Sequence, residues 1–524
     1  MMNNIAGLTP LTPIIGGFTT PIVYLVSKSR RVVFAYAIFF SLVTTALSLL
    51  VAVEVYEGGS VIVYNAGGWP GPVGIVYVVD EANALLGLLT STLILLVLFY
   101  SYEYITDAGY PWYLIMLLGV ESGLLGVVYT CDVFNLFVMI EVTAVSSYGL
   151  VMYYRWRASS IISGLKYAFI GALGTTGFLL ALALAYAVFG SLNLVDIGLK
   201  AMGLPGSAVT GVGVEDSALA VGLIIALSLW TFTIKSGVFP NHFWLPDAHP
   251  AAPTPISAVL SGLVVNAGAV ALYKLLYIGF SASSLPAVKP VVEVVSAITA
   301  ITGICSALIG GLLMLVQTDV KRLIAYSTVM NMGYIFASIA TLSPSGILAF
   351  IYYTVTHSIA KATLFLSTGP LIKVAGSRRL DSIAGLGLRV KPAGAALALA
   401  TLTLAGVPPL PGFLGKLLIY RALFDYSIPL AVAFVVASAI GFISYMRLFY
   451  VVLVSPVSSV GKPVRLHLIA SILVVLSVAL IVLGCVFTFS QTAFNGVFGV
   501  AVERVSNVGR YLSSLSEYLY GVAG

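Results

Sequence analysis

The stretch that decides the fold runs from Lys235 to Gly262 and reads KSGVFPNHFWLPDAHPAAPTPISAVLSG. The apolar run before it carries a lysine to its end, and Ser236, Gly237 and Pro240 then interrupt the helix. Proline removes a backbone donor and frees a carbonyl, which leaves polar groups in need of partners. Prolines recur at 246, 250, 253 and 255, after which a second apolar run extends to about residue 280. At membrane depth a broken helix is tolerated only where it is buried in protein or lines a wet cavity. His242, Asp247 and His249 fall in the proline-rich turn, which reads as a rigid cytoplasmic loop with a lining role rather than as a metal site.

Similar apolar runs flank this stretch and recur from end to end. The 524 residues are 60% hydrophobic and 8% charged, far from the roughly one-quarter charged residues of a soluble domain. A membrane helix needs about 20 apolar residues, and fourteen such spans are read here. They cover roughly 8–26, 32–53, 82–100, 111–130, 133–153, 161–189, 218–240, 255–280, 291–316, 323–342, 345–373, 392–420, 428–454 and 465–488. The expected fold is an all-α integral membrane protein, with helices 7 and 12 broken. Residues 58–72 read as a turn-rich external loop or hairpin. Residues 489–524 read as an external or surface tail, with an amphipathic helix over 505–520.

Charge distribution sets the expected orientation. Loops after odd-numbered spans hold fourteen Lys and Arg, Lys28, Arg155, Lys321, Arg378 and Arg465 among them; loops after even-numbered spans hold only Lys200, Lys289 and Arg421. By the positive-inside rule the odd loops are cytoplasmic and both termini outside. The loop at 101–110 dissents with Glu103 and Asp107, but acids count little in this rule. The formal charge of +6 is dispersed over short loops and is no nucleic-acid signal. Cys131, Cys305 and Cys485 have neither metal nor redox spacing, and no phosphate loop or nucleophile–base pair occurs. No cofactor, metal or catalytic site is therefore expected in this chain.

Charges inside spans carry the functional reading. Lys166, Lys235, Lys274, Lys361, Lys416 and Arg447 lie within them, with Glu121, Glu141 and Glu293. Each costs about 2.5–3.5 kcal/mol at the bilayer centre, so such residues mark ion pathways by default. Lys166, Lys274 and Glu293 lie near span ends, where they read as interface anchors. Glu141 lies deeper, with Asp132 nine residues earlier near the outer mouth, and Lys235 is its natural partner. His357 and Lys361 are four apart and share a helix face. Lys416 follows a second break formed by Gly406, Pro408, Pro409, Pro411 and Gly412. Two interrupted helices in corresponding halves point to a transporter built from repeats. Burial drives an ammonium toward the neutral amine, which lets lysines take up and release protons.

At these residues the sequence resembles the antiporter-like subunits shared by respiratory complex I, Mrp cation/proton antiporters and membrane-bound hydrogenases. The likeness extends from about Asp80 to Tyr450. It rests on Lys235 to Gly262 and on TDVKRLIAYSTVMNMGY (318–334), HSIAKATLFLSTG (357–369), AGVPPLPGFLGK (405–416) and CDVFNLFVMIE (131–141), the last most like Mrp D-type subunits. The resemblance implies that Glu141 and Lys235 form the ion pair of a first half-channel. It makes His357 and Lys361 the connecting pair, and Lys416 the exit residue of the second half. It also implies neighbouring membrane subunits as partners, H⁺ (with Na⁺ ranked lower) as the transported ion, and a prokaryotic cell membrane as the location. The implied organisation is helices 1–3 with the loop over 1–110, inverted five-helix repeats over 111–280 and 291–454, helix 14 over 465–488 and the tail over 489–524. Any enzymatic activity, whether like an NADH–quinone oxidoreductase or a hydrogenase, would belong to the parent complex. The alternative is a structural subunit that conducts nothing.

Two positions depart from the family pattern. Asn266 stands in VVNAGAVALYK (264–274) where a lysine is usual, and it cannot titrate. Glu121 is an additional acid, expected either to couple to Glu141 or to face a neighbouring subunit.

Overall fold

A backbone in lipid must satisfy its hydrogen bonds internally, and the computed structural model is accordingly almost all helix. It describes residues 2–207, 211–213, 217–457 and 467–520. Among these, twelve helices are long and apolar enough to cross a bilayer, or thirteen if Leu380–Leu388 and Lys391–Ala405, bent by 106°, count as one. The expected fourteen exceed this by the spans at 345–373 and 392–420. The first is the helix Pro344–Ala375, where Ser, Thr, His357 and Lys361 dilute the apolar character. The second is split into Lys391–Ala405 and Pro411–Tyr426. Lys462, Arg465 and the first two residues of the fourteenth span lie outside the described residues; its helix is His467–Phe489.

Helix ends follow local chemistry. Asp80 accepts from Asn83 N at 2.8 Å and opens Glu81–Tyr104. Asp132 accepts from Asn135 N at 2.7 Å and opens Val133–Val151. Such N-caps satisfy donors that the first turn leaves free. The Lys235 helix, Ala218–Ser236, ends at Gly237 with φ 63°, and Lys391–Ala405 ends at Gly406 with φ 87°. Both are left-handed conformations that favour glycine. The expected break after Lys235 is therefore present. The turn beyond it is not a loop, however: Leu245–Ala251 is a short helix, with Trp244 and His249 both buried.

The helix Thr254–Phe280 is buried along its length and forms the axis of the bundle. Wider π-type turns at Leu260–Val264 and Tyr273–Phe280 flank Asn266; such turns are frequent at functional sites. Elsewhere small residues set the approach. A Cβ on Gly303 would meet Gly333 O at 2.7 Å, so Lys289–Leu315 and Val320–Ala340 pack backbone to backbone.

One end of the bundle is closed by a hairpin in which Ile62–Asn65 pairs antiparallel with Val76–Val79. The C-terminal helices Val500–Ser506 and Val508–Tyr520 cover it. Arg504 pairs with Glu81 at 2.6 Å, Tyr511 OH donates to Asp80 Oδ2 at 2.9 Å, and Tyr277 OH donates to Val505 O at 3.1 Å. Leu512, Leu515 and Leu519 are buried. The amphipathic face of the tail thus packs on protein rather than lying on a lipid surface.

Candidate functional site

The first half of the site is built around the end of the Lys235 helix. A helix C-terminus favours a cation, and there Lys235 Nζ lies 3.3 Å from Glu141 Oε1 and 3.2 Å from Tyr148 OH. Glu141 and Tyr148 are two turns apart on Val133–Val151, so both face the lysine. Aromatic rings wall the pair: Tyr148 meets Tyr167 edge-on at 4.5 Å, and Tyr167 stacks on Trp244 at 3.8 Å. Trp244 Nε1 donates to Ile234 O at 2.9 Å, which ties the far side of the break to the helix carrying Lys235.

The two partners differ in exposure. The Lys235 side chain is 5% exposed and that of Glu141 30%. Glu141 opens sideways into a groove of about 530 Å³ between the helices Met2–Ser27, Tyr110–Tyr129 and Val133–Val151. Phe18, Ile115, Phe137 and Val145 line it, so the carboxylate is the charged group in an apolar groove.

The second half lies on Pro344–Ala375 and its neighbours. His357 and Lys361 are fully buried, one turn apart. Neither ring nitrogen of His357 has a partner among the described residues. Lys361 Nζ donates to Ser327 Oγ and, at 3.3 Å, to Ile324 O. Lys416 Nζ donates to Ala405 O at 3.0 Å, across the second break, and sits 5.8 Å from the centre of the Tyr334 ring.

Lys361 and Lys416 do not touch, but a run of neutral polar groups lies between them. Asn331 Nδ2 donates to Ser327 O and, at 2.9 Å, to Tyr445 OH, while Tyr353 OH donates to Asn331 Oδ1. Tyr353 packs edge-on against Tyr334 at 6.2 Å. Ser327, Asn331 and Tyr334 are spaced i, i+4, i+7 on Val320–Ala340, a helical stripe that is the one sequence signal for them.

Asn266 sits between the halves. Its Nδ2 donates to Gly262 O at 2.7 Å and to Ser358 Oγ at 2.9 Å, next to His357. On the other side, Ser236 Oγ, next to Lys235, donates to Val265 O at 2.8 Å.

The other charges lie apart from this line. Glu121 is fully buried and accepts from Ser41 Oγ at 2.9 Å. It faces the helix Arg30–Gly58, because Gly119, Gly123 and Gly126 turn the opposite side of its helix toward Val133–Val151. It meets neither Glu141 nor the protein surface. Asp132 is a helix cap at the hairpin end. Lys274 does not snorkel: it is 5% exposed and donates to Val128 O at 2.6 Å and to Thr130 O. Lys321, read as a loop residue, is 4% exposed and donates to Ala252 O at 2.8 Å. Asp247 is held by Lys166 at 2.6 Å and Arg322 at 3.3 Å, and His249 stacks on Phe365 at 4.7 Å. Among the described residues no cluster of three His, Cys, Asp or Glu could hold a metal ion.

Residues 130–441, more than half the chain and including Glu141, Lys235, Asn266, His357, Lys361 and Lys416, match the family described as NADH:quinone oxidoreductase/Mrp antiporter, transmembrane. The chain belongs to that family. It is 29% identical to the D-type subunit of a Na⁺/H⁺ antiporter of Alkalihalophilus pseudofirmus over 459 residues, 86% of each chain. It is also 29% identical to the N-type subunit of an NADH-quinone oxidoreductase of Desulforudis audaxviator, over 84% of this chain and 87% of the relative. Among solved structures it is similar to a chain of the membrane-bound sulfane sulfur reductase, an archaeal respiratory membrane complex. That match has TM-score 0.87 and 26% identity over 97% of this chain and 99% of the other. A chain of the Mrp complex from Dietzia sp. shares the fold, with TM-score 0.83 over 98% and 99% at 24% identity. This member of the antiporter family is a multi-pass membrane protein of the antiporter-like subunit type.

Proposed function

We propose that the chain is a proton-translocating subunit of a redox-driven ion pump or an Mrp-type cation/proton antiporter complex. In this reading protons move through two half-channels, one at Glu141 and Lys235 and one at His357, Lys361 and Lys416. The single observation that carries it is the Glu141–Lys235 pair at a helix break, with the acid open to a lateral groove. An acid facing hydrocarbon is costly, so the groove fits a neighbouring membrane subunit. Movement in that neighbour would alter the hold of Glu141 on Lys235. A weakened ion pair favours the neutral amine, and the released proton passes toward Lys361 and on toward Lys416, with Ser327, Asn331 and Tyr353 as polar groups that line the way rather than carry the charge. The basic residues gathered away from the hairpin end support cytoplasmic odd loops and outside termini. The two breaks support repeats over 111–280 and 291–454.

The test is proton translocation by the complex purified with its partner subunits and reconstituted in vesicles. Lys235→Ala or Glu141→Ala should abolish it without disturbing assembly, and removal of Na⁺ should leave it unchanged. Undiminished translocation by both variants would favour the second reading, a structural subunit that conducts nothing, for which the non-titrating Asn266 speaks.

A further inference from the structure

A small cavity lies beside Asn266 at the junction of the two halves. It measures about 20 Å³, and one water needs about 10–15 Å³ of such space. Most of its wall is apolar, with Leu86, Leu124, Leu263 and Val270 contributing, but Thr90, Asn266, Thr354 and Ser358 also line it. Two of these polar side chains carry an atom with no partner among the described residues: Asn266 Oδ1 and Thr354 Oγ1. The Asn266 amide nitrogen is committed to Gly262 O and Ser358 Oγ, which fixes the orientation of the amide and leaves its oxygen as a free acceptor. Thr90 Oγ1 donates to Leu86 O at 2.8 Å and keeps lone pairs to accept with.

Buried polar groups are almost always hydrogen-bonded, to protein or to ordered water. Two residues that each carry an unpartnered oxygen line one single-water cavity, and one water is a common remedy. We propose that this cavity binds one water molecule, held by Asn266 Oδ1 and Thr354 Oγ1, and that this water is the proton-carrying link at position 266. The inference rests on the transport reading above. An asparagine side chain has no proton to give up at working pH, whereas a water can accept on its oxygen a proton arriving from the Lys235 side while releasing another toward His357, whose ring nitrogens have no partner among the described residues. Asn266 is also the residue that joins the two sides, bonded to Ser358 beside His357 and following Val265, which accepts from Ser236 beside Lys235. The apolar walls leave no room for a second water, so the link is a single molecule. Thr354, which no motif singled out, is then a positioning residue for transport.

Proton translocation by the reconstituted complex tests this with three variants. Thr354→Val and Asn266→Leu should each slow it by about tenfold or more, while Thr354→Ser, which keeps the hydroxyl, should restore it. A loss of packing alone would not be rescued by the smaller serine. A density map of the unsubstituted complex should show one solvent peak within hydrogen-bond distance of Asn266 Oδ1 and Thr354 Oγ1. Full-rate translocation by Thr354→Val, or no solvent peak, overturns the proposal; if Thr354→Val does not assemble, the map decides. Lys235→Ala run in parallel separates the two claims. If it is inactive while Thr354→Val is normal, only the water link falls; if both are normal, the transport reading falls as well.

Discussion

Lys416 Nζ donates to Ala405 O at 3.0 Å, so the ammonium from one half of a broken helix closes the carbonyl end of the other half. The arrangement resembles that at Lys235 only in part. Lys235 sits in the last turn before its break, whereas Lys416 lies beyond its break and reaches back. In both cases the cation meets the negative end of a helix dipole, so the break itself supplies the partner that an apolar interior lacks.

Gly406 lies directly beneath this contact. Its φ is 87°, and a Cβ there would sit 3.0 Å from Lys416 Cδ. Gly406→Ala should therefore cost about 1–2 kcal/mol for the left-handed backbone alone and push the ammonium off Ala405. Vesicle acidification by the assembled complex should fall, with Lys416→Met more severe. An alanine variant at full rate would show that the Lys416–Ala405 contact does not matter for transport.

Tyr148→Phe removes the second oxygen around Lys235 Nζ and leaves Glu141 in place. A hydrogen bond to a charged group contributes about 1.5–3 kcal/mol. The variant should assemble normally yet translocate protons several-fold more slowly. Equal rates for tyrosine and phenylalanine would reduce Tyr148 to packing.

Tyr353→Phe and Asn331→Leu each cut the polar run between Lys361 and Lys416. Both should slow translocation, and the double variant should be little worse than either single one, because groups acting in one chain are not additive. Rates that fall independently would point to separate roles, read from a double-mutant cycle.

At the hairpin end, Arg504→Ala strands a Glu81 side chain that is 1% exposed. Breaking a buried pair costs roughly 3–5 kcal/mol, and the 26% exposure of Arg504 argues for the lower end. Faster protease nicking after residue 490 is the expected sign, relieved by adding Glu81→Gln. Unchanged nicking would mean the ion pair does not hold the tail.

Asp196 offers a test by pH. Burial raises its carboxyl, but the Lys200 ammonium and the Ser207 donors outweigh this and hold it below the usual carboxylate range. A folded-state value below the unfolded one contributes stability that is present above the unfolded value, near pH 4. That stability is lost as pH falls through the folded value. Hydrogen exchange at Ser207 N, which donates to Asp196 Oδ1 at 2.6 Å, should therefore quicken in acid beyond its intrinsic rate change. Asp196→Asn should remove the dependence, and an identical profile in that variant would refute the assignment.

How much of the fold and site is legible in the sequence depends on what each residue costs in lipid. Glu141 and Lys235 stand out because an unpaired charge at that depth is expensive, and their pairing across 94 positions follows from having no other partner. Gly237 and Gly406 mark the breaks because no other residue takes those turns cheaply. Ser327, Asn331 and Tyr353 give no comparable signal: neutral hydroxyls and amides are tolerated in many membrane helices, and only their alignment across helices reveals a chain. Lys274 and Lys321 mislead because distance from a span end does not say whether protein or water lies beyond it. The face of Glu121 is set by the glycines at 119, 123 and 126, which claim the other side only once the helices are packed. For the helix Val508–Tyr520, an apolar stripe reads the same whether it meets lipid or protein.

The Arg504–Glu81 pair joins residues 423 positions apart, and this separation orders events during synthesis. The hairpin and the first helices leave the ribosome early, yet the cover over them is translated only after almost everything else has been inserted. Until then Asp80 and Glu81 stay wet, and that end of the bundle remains open. Its sealing therefore requires that translation has run through residue 504, and a product truncated before that point would leave Asp80 and Glu81 without Tyr511 and Arg504.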